Sequence, residues 1–263
     1  MLAAVLICAA APAEADRLFR LNDRAALPVV SVLVDHYGTT SRYRRGTGVL
    51  VGRCDVMLTA RHVVRGADPS AIHVHSPQIR GRSTLAIADD QAANLRNAPP
   101  SRRSEDSFDD DVVVLRLKDC PTHHRVPLDA LVPISFSHID ALVGIGFPCD
   151  SGGRRAPERV DFRGSLVAAP IRGSLSRRLR LTPGARPGQS GAPVFSVSET
   201  GALALHMLLV ATVRHETAPV GCGIDAQTGQ SDAGQAAFGV LLTADFIDAF
   251  GAYIFALYER EAR

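Results

Sequence analysis

Three side chains, far apart in the chain, are of the types that together perform nucleophilic catalysis by a hydroxyl group. His62 follows an apolar stretch, Asp111 directly precedes one, and Ser190 lies in the segment PGQSGAPVF (187–195). A serine hydroxyl is a weak nucleophile at neutral pH, so it needs an imidazole to take its proton and a carboxylate to orient that imidazole. Each residue alone has an ordinary explanation, as a surface histidine, an acid flanking a strand, or a loop tip. The prediction therefore rests on their combination.

The glycine ahead of the serine adds a fourth chemical element. Attack of a hydroxyl on a carbonyl creates an oxyanion, which main-chain N–H groups aimed at it stabilise. In this order of residues the N–H groups of Gly188 and Ser190 would supply that oxyanion site. Glycine also lets the turn adopt a backbone conformation that a side chain would resist. We therefore expect His62, Asp111, Ser190 and Gly188 to form a catalytic site.

The elements that must position these residues are mostly short strands. The strand candidates are apolar or alternating stretches bounded by turn residues, and such a series predicts an all-β sandwich or barrels. They lie at 27–34, 46–52, 55–60, 72–77, 111–117, 142–147, 164–170, 179–183, 192–195, 205–213 and 236–242. The polar stretch 89–110 predicts a long exposed loop.

A single amphipathic helix is predicted to close the chain, over residues 243–260. Apolar side chains recur there at steps of three and four, from Phe246 to Tyr258. Thr243 is a suitable N-cap, and Asp245 places negative charge in the first turn.

Composition excludes some classes of function. The chain has 263 residues, of which 46% are hydrophobic and 21% charged, with a formal net charge of +2, as in an ordinary globular protein. Aromatics make up 5%, and the arginines are dispersed rather than gathered in a stripe, which argues against binding to nucleic acid. No segment after the first fifteen residues has the length of apolar sequence that crosses a bilayer.

The first fifteen residues predict a secretory signal peptide, removed on export. They are apolar and end in Ala13-Glu14-Ala15, a small-Xaa-small cleavage pattern, although no Lys or Arg precedes the apolar part. A buried N-terminal helix is the alternative. We expect a secreted or periplasmic mature chain, 16–263, with no membrane association after signal removal.

Removing that segment would leave four cysteines, Cys54, Cys120, Cys149 and Cys222. An even number in an exported chain suggests two disulfides, and four unlinked thiols are the alternative. No Cys-Xaa-Xaa-Cys pattern occurs, so no zinc site, and no other metal or cofactor, is predicted.

Taken together, the motifs resemble those of a known family. The stretches GTGVLVG, LTARHVV, DVVVLRL and GQSGAPVF are similar to the four hallmark segments of chymotrypsin/trypsin-fold serine peptidases, closest to the bacterial trypsin-like, HtrA and glutamyl-endopeptidase branches. The resemblance implies two six-stranded antiparallel barrels, at about 27–135 and 140–242, with the active site between them. It implies His62 as general base and acid, Asp111 as its orienter and Ser190 as nucleophile.

The resemblance also decides between neighbouring residues. Asp111 is preferred over Asp109 and Asp110 because it abuts the apolar stretch, as the catalytic acid of the family does. In the family the strand before the histidine pairs antiparallel with the strand after the aspartate. That pairing implies one disulfide, Cys54–Cys120, and leaves Cys149 to pair with Cys222.

Three features depart from the family pattern. Gln189 stands where the digestive enzymes carry the aspartate that binds a newly freed amino terminus, so we expect an enzyme that needs no trypsin-type activation. Arg61 stands before His62 where a small residue is usual, which is either harmless or alters access to the cleft. The stretch 181–188 contains no acid, which argues against a preference for Lys or Arg at P1, the substrate residue before the scissile bond.

The specificity pocket therefore has two open interpretations. Arg186, Arg214 or His215 would bind an acidic substrate side chain by charge-assisted hydrogen bonds, or these residues are exposed and the pocket takes small apolar side chains.

These observations predict a secreted serine endopeptidase that acts on protein or peptide substrates through an acyl-enzyme on Ser190. The alternative is a non-catalytic protein-binding module on the same scaffold, since a fold does not fix function. An esterase of the α/β-hydrolase type is excluded by order, because its serine precedes the other two residues in the chain. The sequence says nothing of the oligomeric state.

Overall fold

The strands of the protein fall into two groups. A computed structural model describes residues 28–35, 43–76, 86–88, 111–120, 124–134, 141–149, 157–166, 178–186, 188–198, 202–212 and 237–261. The strands are β1 (Val29–Asp35), β2 (Tyr43–Leu50), β3 (Val56–Ala60), β4 (Ile72–His75), β5 (Val112–Arg116), β6 (Leu142–Gly146), β7 (Glu158–Leu166), β8 (Arg178–Thr182), β9 (Pro193–Val197), β10 (Leu203–Thr212) and β11 (Ala237–Leu241). Each lies at or overlaps a stretch that the sequence predicted to be a strand.

The first group is an antiparallel sheet in the order β4-β1-β2-β3-β5. The pairing of β2 with β3 places Gly48 opposite Thr59, and the pairing of β3 with β5 places Ala60 opposite Val112. Six strands are expected of this barrel, and the described residues supply five. Beyond β5, Ile87 forms an isolated antiparallel bridge with Leu117, at the edge where a sixth strand would pair.

The second group is a closed barrel of six antiparallel strands, in the order β10-β11-β8-β7-β6-β9. Six strands are what the family resemblance implied for this half. Strand β7 is the one whose position was wrong, because it begins at Glu158 and not at Gly164. Phe162 is buried on one face, while Arg159 and Asp161 form an ion pair on the other. The segment is therefore an ordinary alternating strand, which its charged residues made difficult to identify from the sequence.

The closing helix, α2 (Ala244–Glu261), is confirmed. Thr243 caps it as expected: its hydroxyl accepts a hydrogen bond from the N–H of Phe246 at 3.3 Å, and its carbonyl accepts one from Ile247 at 2.9 Å. The buried face of α2 carries Phe250, Ile254 and Leu257, which belong to one apolar core with residues of both sheets. That shared core includes Val29 and Leu58 of the first sheet and Val143, Phe195 and Leu205 of the barrel. Burial of this face fixes the helix across the two halves.

The Cys54–Cys120 disulfide is present, with the two Cα atoms 5.0 Å apart. It joins the start of β3 to the end of β5, as the antiparallel pairing implied. Cys149 is disulfide-bonded as well. Its expected partner, Cys222, lies outside the described residues, so that pairing stays a prediction.

Two further expectations fall outside the described residues, namely the signal segment 1–15 and the loop 89–110. Of the helices that are described, none combines the length and the apolar character that a membrane span requires.

Candidate active site

His62 sits on a one-turn helix rather than at a bare strand end. Strand β3 is completely buried, and the chain leaves it directly into α1 (Arg61–Val64). Val63 and Val64 are buried and anchor the turn in the core of the first sheet. The His62 side chain is 43% exposed, so the imidazole ring faces solvent while the helix that carries it is anchored in the core.

Asp111 holds this ring and its main chain at once. Its carboxylate is 8% exposed; Oδ1 accepts a hydrogen bond from the His62 N–H at 2.7 Å, and Oδ2 lies 2.5 Å from Nδ1. The register of β3 with β5 prepares this contact: Ala60 pairs with Val112, and the N–H of Arg61 donates to the Asp111 carbonyl at 2.9 Å, so that His62, the next residue, lies beside the Asp111 side chain. An ionised carboxylate only accepts hydrogen bonds, so Nδ1 carries the hydrogen and Nε2 is left as the basic nitrogen.

The Ser190 turn has a backbone that needs glycine on both sides. Gly188 has a φ of +90° and Gly191 one of +86°, in the left-handed region that side chains resist. A Cβ on Gly188 would also meet the Phe147 carbonyl oxygen at 2.5 Å, and one on Gly191 would meet the main chain of Thr47. Glycine adopts this conformation without strain, whereas an alanine at either position is excluded by contact as well as by conformation.

Hydrogen bonds within the turn hold Ser190 in place. The N–H of Gln189 donates to the Arg186 carbonyl at 3.1 Å, and the N–H of Ala192 donates to the Gln189 carbonyl at 2.9 Å. The Gln189 side chain is buried, and its Oε1 accepts a hydrogen bond from the Arg186 N–H at 2.8 Å. Gln189 therefore supports the turn from within, where the digestive enzymes use an aspartate.

The turn packs against the part of the first sheet that carries His62. The Ser190 carbonyl accepts a hydrogen bond from the N–H of Thr47 at 2.8 Å. Gly46 marks the meeting point, since a Cβ there would meet Val63 of α1 at 2.6 Å and the Ser190 carbonyl oxygen at 3.0 Å. On the other side, a Cβ on Gly191 would lie 2.8 Å from the Ala60 nitrogen, two residues before His62. All four predicted catalytic residues therefore belong to elements that meet at one junction of the two sheets.

Two main-chain donors of the turn are free within the part of the chain that the structure describes. No described group accepts a hydrogen bond from the N–H of Gly188 or of Ser190. Buried main-chain N–H groups are nearly always paired, so unpaired ones beside a candidate nucleophile suit an oxyanion.

Sequence reasoning missed two residues that contact these elements. The guanidinium of Arg44, on β2, donates to the carbonyls of His62 at 3.1 Å and Arg65 at 2.9 Å. Burial, and to a smaller extent the Arg65 charge, lower the pKa of Arg44 from its usual value. Thr47, also on β2, is fully buried and bonds to the Ser190 turn. Neither has a local pattern that marks it, since their partners lie elsewhere in the chain.

Arg61, the unusual neighbour of His62, makes a long hydrogen bond of 3.4 Å from its guanidinium to the Val112 carbonyl. The side chain therefore lies along the start of β5.

Arg186 forms an ion pair with Glu158 at the start of β7, and these side chains are 27% and 38% exposed. Its charge thus already has a carboxylate partner. Arg214 and His215 lie outside the described residues, so the role of all three in substrate binding stays a prediction. Among the described residues, no cluster of three or more His, Cys, Asp or Glu side chains is arranged to hold a metal ion.

Solved structures share this fold. The MamO protease domain from Magnetospirillum magneticum (apo form) is similar, with 15% identity and a TM-score of 0.54, over 84% of this chain and 95% of that one. The thermostable serine protease AL20 from an extremophilic microorganism is similar with 12% identity and a TM-score of 0.51, over 83% of this chain and 92% of that one. At such identities the likeness shows the fold alone. It agrees with the double-barrel architecture that the sequence predicted.

Sequence comparison goes further than the fold. No curated protein sequence matches the chain significantly. The sequence model of the trypsin-like peptidase domain matches residues 46–204, which include His62, Asp111 and Ser190. The match does not distinguish the HtrA from the glutamyl-endopeptidase branch, so that placement stays a prediction. Because the match spans more than half of the chain, the protein belongs to the trypsin-like peptidase family.

Proposed function

We propose that the protein is a serine endopeptidase that hydrolyses peptide bonds of protein or peptide substrates through an acyl-enzyme on Ser190. The observation that carries the proposal is the His62–Asp111 pair, joined by two hydrogen bonds of 2.5 and 2.7 Å, at the junction that also holds the Ser190 turn. Membership of the peptidase family supports the same reaction class.

The first half of the reaction forms the acyl-enzyme. Nε2 of His62 takes the proton of the Ser190 hydroxyl as its oxygen attacks the carbonyl carbon of the scissile peptide. The ring is then a cation, which the buried Asp111 carboxylate stabilises without taking the proton itself. His62 next donates that proton to the leaving amine, the carbon–nitrogen bond breaks, and the acyl group remains as an ester on Ser190.

The second half hydrolyses that ester with the same groups. His62 takes a proton from a water molecule that attacks the ester carbon, then returns it to the departing Ser190 oxygen. Both halves pass through a tetrahedral oxyanion. The N–H groups of Gly188 and Ser190, for which no described residue supplies an acceptor, are the donors proposed to bind it, and loss of one such donor in a serine peptidase typically slows turnover by about 10²–10³-fold.

Export to the periplasm or the medium is part of the proposal. Its support is the signal-like segment 1–15 together with the Cys54–Cys120 bridge, because disulfides persist in oxidising compartments. Recovery of a chain beginning at Asp16 outside the cytoplasm is the expected result. A full-length chain found only in the cytoplasm would contradict it.

The proposed P1 preference excludes Lys and Arg, because the 181–188 wall holds no acid and the Glu158 charge is already paired with Arg186. Acidic and small apolar side chains both remain candidates. Cleavage of a peptide library, read by mass spectrometry, separates them.

A fluorophosphonate probe tests the proposed reaction, because it forms a covalent adduct only with an activated serine. We expect the wild type to be labelled and to cleave a denatured protein such as casein, and Ser190→Ala to do neither while unfolding at the same temperature. Ser196→Ala is the matched control, since Ser196 is buried and hydrogen-bonded to His206 in the same barrel, and it should be labelled. Folded wild type that neither labels nor cleaves would overturn the proposal in favour of a non-catalytic binding module.

A further inference from the structure

Thr47 connects the two sheets at the junction that carries the candidate site. It lies on β2 in the first sheet, is 0% exposed, and contacts the turn that leads into β9 of the second barrel. Its side-chain partners are distant in sequence, at separations of 141 and 100 residues. A buried hydroxyl that is shared between two sheets is a feature that core packing alone does not require.

The hydroxyl of Thr47 is used as donor and as acceptor. It donates to the Gly188 carbonyl at 3.0 Å, and it accepts a hydrogen bond from the N–H of Phe147 at 3.0 Å. The main-chain N–H of the same residue donates to the Ser190 carbonyl at 2.8 Å. Thr47 therefore holds the carbonyls on both sides of Gln189, one with its side chain and one with its main chain.

Hydrogen bonds to its carbonyls fix the successive peptide planes of the turn. The Gly188 carbonyl accepts a hydrogen bond from the Thr47 hydroxyl, and the Ser190 carbonyl accepts one from the Thr47 N–H. The Gln189 carbonyl, between them, accepts one from the Ala192 N–H, so all three carbonyls point into the protein. In a trans peptide the N–H points opposite to the carbonyl. The Ser190 N–H shares a peptide with the Gln189 carbonyl, which the Ala192 N–H holds, and therefore faces away from Ala192. Thr47 holds the two peptides on either side of that one, and the first of them also adjoins the residue that carries the Gly188 N–H. Rotation of the turn would break these bonds.

Thr47 is itself held on the side of His62. The Thr59 hydroxyl donates to the Thr47 carbonyl at 2.7 Å, and Thr59 lies three residues before His62 on β3. A chain of hydrogen bonds thus runs from β3, the strand that leads into the His62 helix, through Thr47 to the turn that carries Ser190.

We propose that Thr47 is a positioning residue, whose hydroxyl locks the 188–190 turn in the conformation that presents both N–H donors to the oxyanion. The inference rests on the proposed peptidase function and extends it to a residue that does not touch substrate. Because the oxyanion forms only during reaction, loss of the hydroxyl lowers the rate of acylation while substrate binding stays the same.

The experiment compares Thr47→Val, Thr47→Ala and Thr47→Ser. Valine keeps the shape and removes the hydroxyl, alanine removes hydroxyl and methyl group, and serine keeps the hydroxyl. Acylation is followed by the burst of nitrophenol from p-nitrophenyl acetate, a small ester that does not depend on the P1 pocket, and by the rate of fluorophosphonate labelling. Saturation of each rate with concentration separates the limiting rate constant from the binding constant. Ser196→Ala, which also loses a buried hydroxyl hydrogen bond, is the control for stability.

We expect the limiting acylation rate of Thr47→Val and Thr47→Ala to fall about 10- to 100-fold, less than the roughly 10²–10³-fold loss of a direct oxyanion donor. Their binding constants should change less than about twofold, and Thr47→Ser should retain most of the rate, because a serine hydroxyl makes the same two bonds. Ser196→Ala should lose stability and keep its rate.

Several outcomes overturn the inference while leaving the proposed function intact. One is an active wild type whose Thr47→Val and Thr47→Ala forms acylate at the same rate. Another is a Thr47→Ser form as slow as Thr47→Ala, which would make the methyl group decisive. If Thr47→Val does not fold, the comparison of alanine with serine decides. A wild type that shows no burst and no labelling contradicts the peptidase proposal itself.

Discussion

The carboxylate of Asp111 binds both the ring and the main chain of His62. Oδ1 accepts from the His62 N–H at 2.7 Å, and Oδ2 lies 2.5 Å from Nδ1, so each oxygen has its own donor. The main-chain bond fixes the position of the carboxylate, and that position fixes the hydrogen on Nδ1. A group with one oxygen and one N–H₂ cannot accept from both donors.

Replacement of Asp111 by asparagine should therefore reverse the tautomer of His62. With its oxygen at the main-chain N–H, the amide turns its N–H₂ toward Nδ1, which must then accept, and the hydrogen moves to Nε2, where it prevents Nε2 from taking the Ser190 proton. We expect kcat on a peptide substrate to fall by about 10⁴-fold, with little change in KM.

The matched controls for this loss are Asp109→Asn and Asp110→Asn, which make the same chemical change one and two residues away. Both should retain activity close to wild type. If either of them abolished turnover and Asp111→Asn did not, the assignment of the catalytic acid would be wrong.

Arg44 should position His62 through its main chain. Its guanidinium spans the carbonyls of His62 and Arg65, at 3.1 and 2.9 Å, and so pairs carbonyls at the end of the short helix α1 that have no helical partner. Lysine keeps the charge but lacks the planar fork of N–H donors with which arginine holds both carbonyls at once. We expect Arg44→Met and Arg44→Lys each to lose about 1–3 kcal/mol of unfolding free energy, measured in urea. The variant that loses more unfolding free energy should also lose more activity.

Arg45→Met is the control for Arg44. It removes the same charge from the same strand, but neighbouring residues of a strand point to opposite faces. Activity lost equally in Arg45→Met would show that charge, rather than the two carbonyl contacts, accounts for the effect.

The positions of the candidate catalytic residues in the fold could be predicted because short local patterns mark them. Asp111 and His62 each adjoin an apolar strand, and antiparallel pairing of those strands brings them together. The Ser190 turn was marked by glycines that the observed φ values of Gly188 and Gly191 require. These features depend on a few consecutive residues, so the sequence displays them.

The supporting contacts were not predictable, because each joins residues that are far apart in the chain. Nothing near Thr47 indicates a partner 141 residues away, and Arg44 looks like a surface arginine until α1 packs over it. The first six residues of β7 were missed for another reason, since charges on its exposed face outweighed the buried Phe162 in the pattern.

The enzyme should not need a freed amino terminus. The Gln189 Oε1 already accepts a hydrogen bond from the Arg186 N–H at 2.8 Å inside the turn, so the turn has a neutral support of its own. We expect a chain starting at Asp16 and the same chain carrying an acetylated extension to have equal kcat. An inert extended form that cleavage switches on would contradict this prediction.

The Cys54–Cys120 bridge should support stability and leave catalysis intact. It closes a sequence separation of 66 residues, for which loop-closure entropy gives about 4 kcal/mol of unfolding free energy. Because it joins the ends of β3 and β5 that lie away from His62 and Asp111, the double variant Cys54→Ser/Cys120→Ser should keep its activity at low temperature. Urea unfolding of the variant and of the oxidised wild type measures the difference. Equal unfolding midpoints would contradict the prediction.

The Glu158–Arg186 ion pair makes the specificity question testable. If Arg186 lines the P1 pocket, an acidic substrate side chain must share it with Glu158, whose negative charge repels the substrate. The variant Glu158→Gln removes that charge and keeps the shape. We expect it to raise the ratio of kcat/KM for Glu over Ala at P1 by about tenfold, the factor that corresponds to roughly 1.4 kcal/mol.

Arg186→Gln completes this comparison, because it should lower the same ratio in the Glu158→Gln background. Its effect on overall folding is expected to be small, since a partly exposed ion pair contributes at most about 1 kcal/mol to stability. A P1 ratio that neither substitution changes would place Arg186 outside the pocket. It would leave Arg214 and His215 as the candidates for binding an acidic side chain. If substituting these two residues has no effect either, the remaining interpretation is a pocket that takes small apolar side chains.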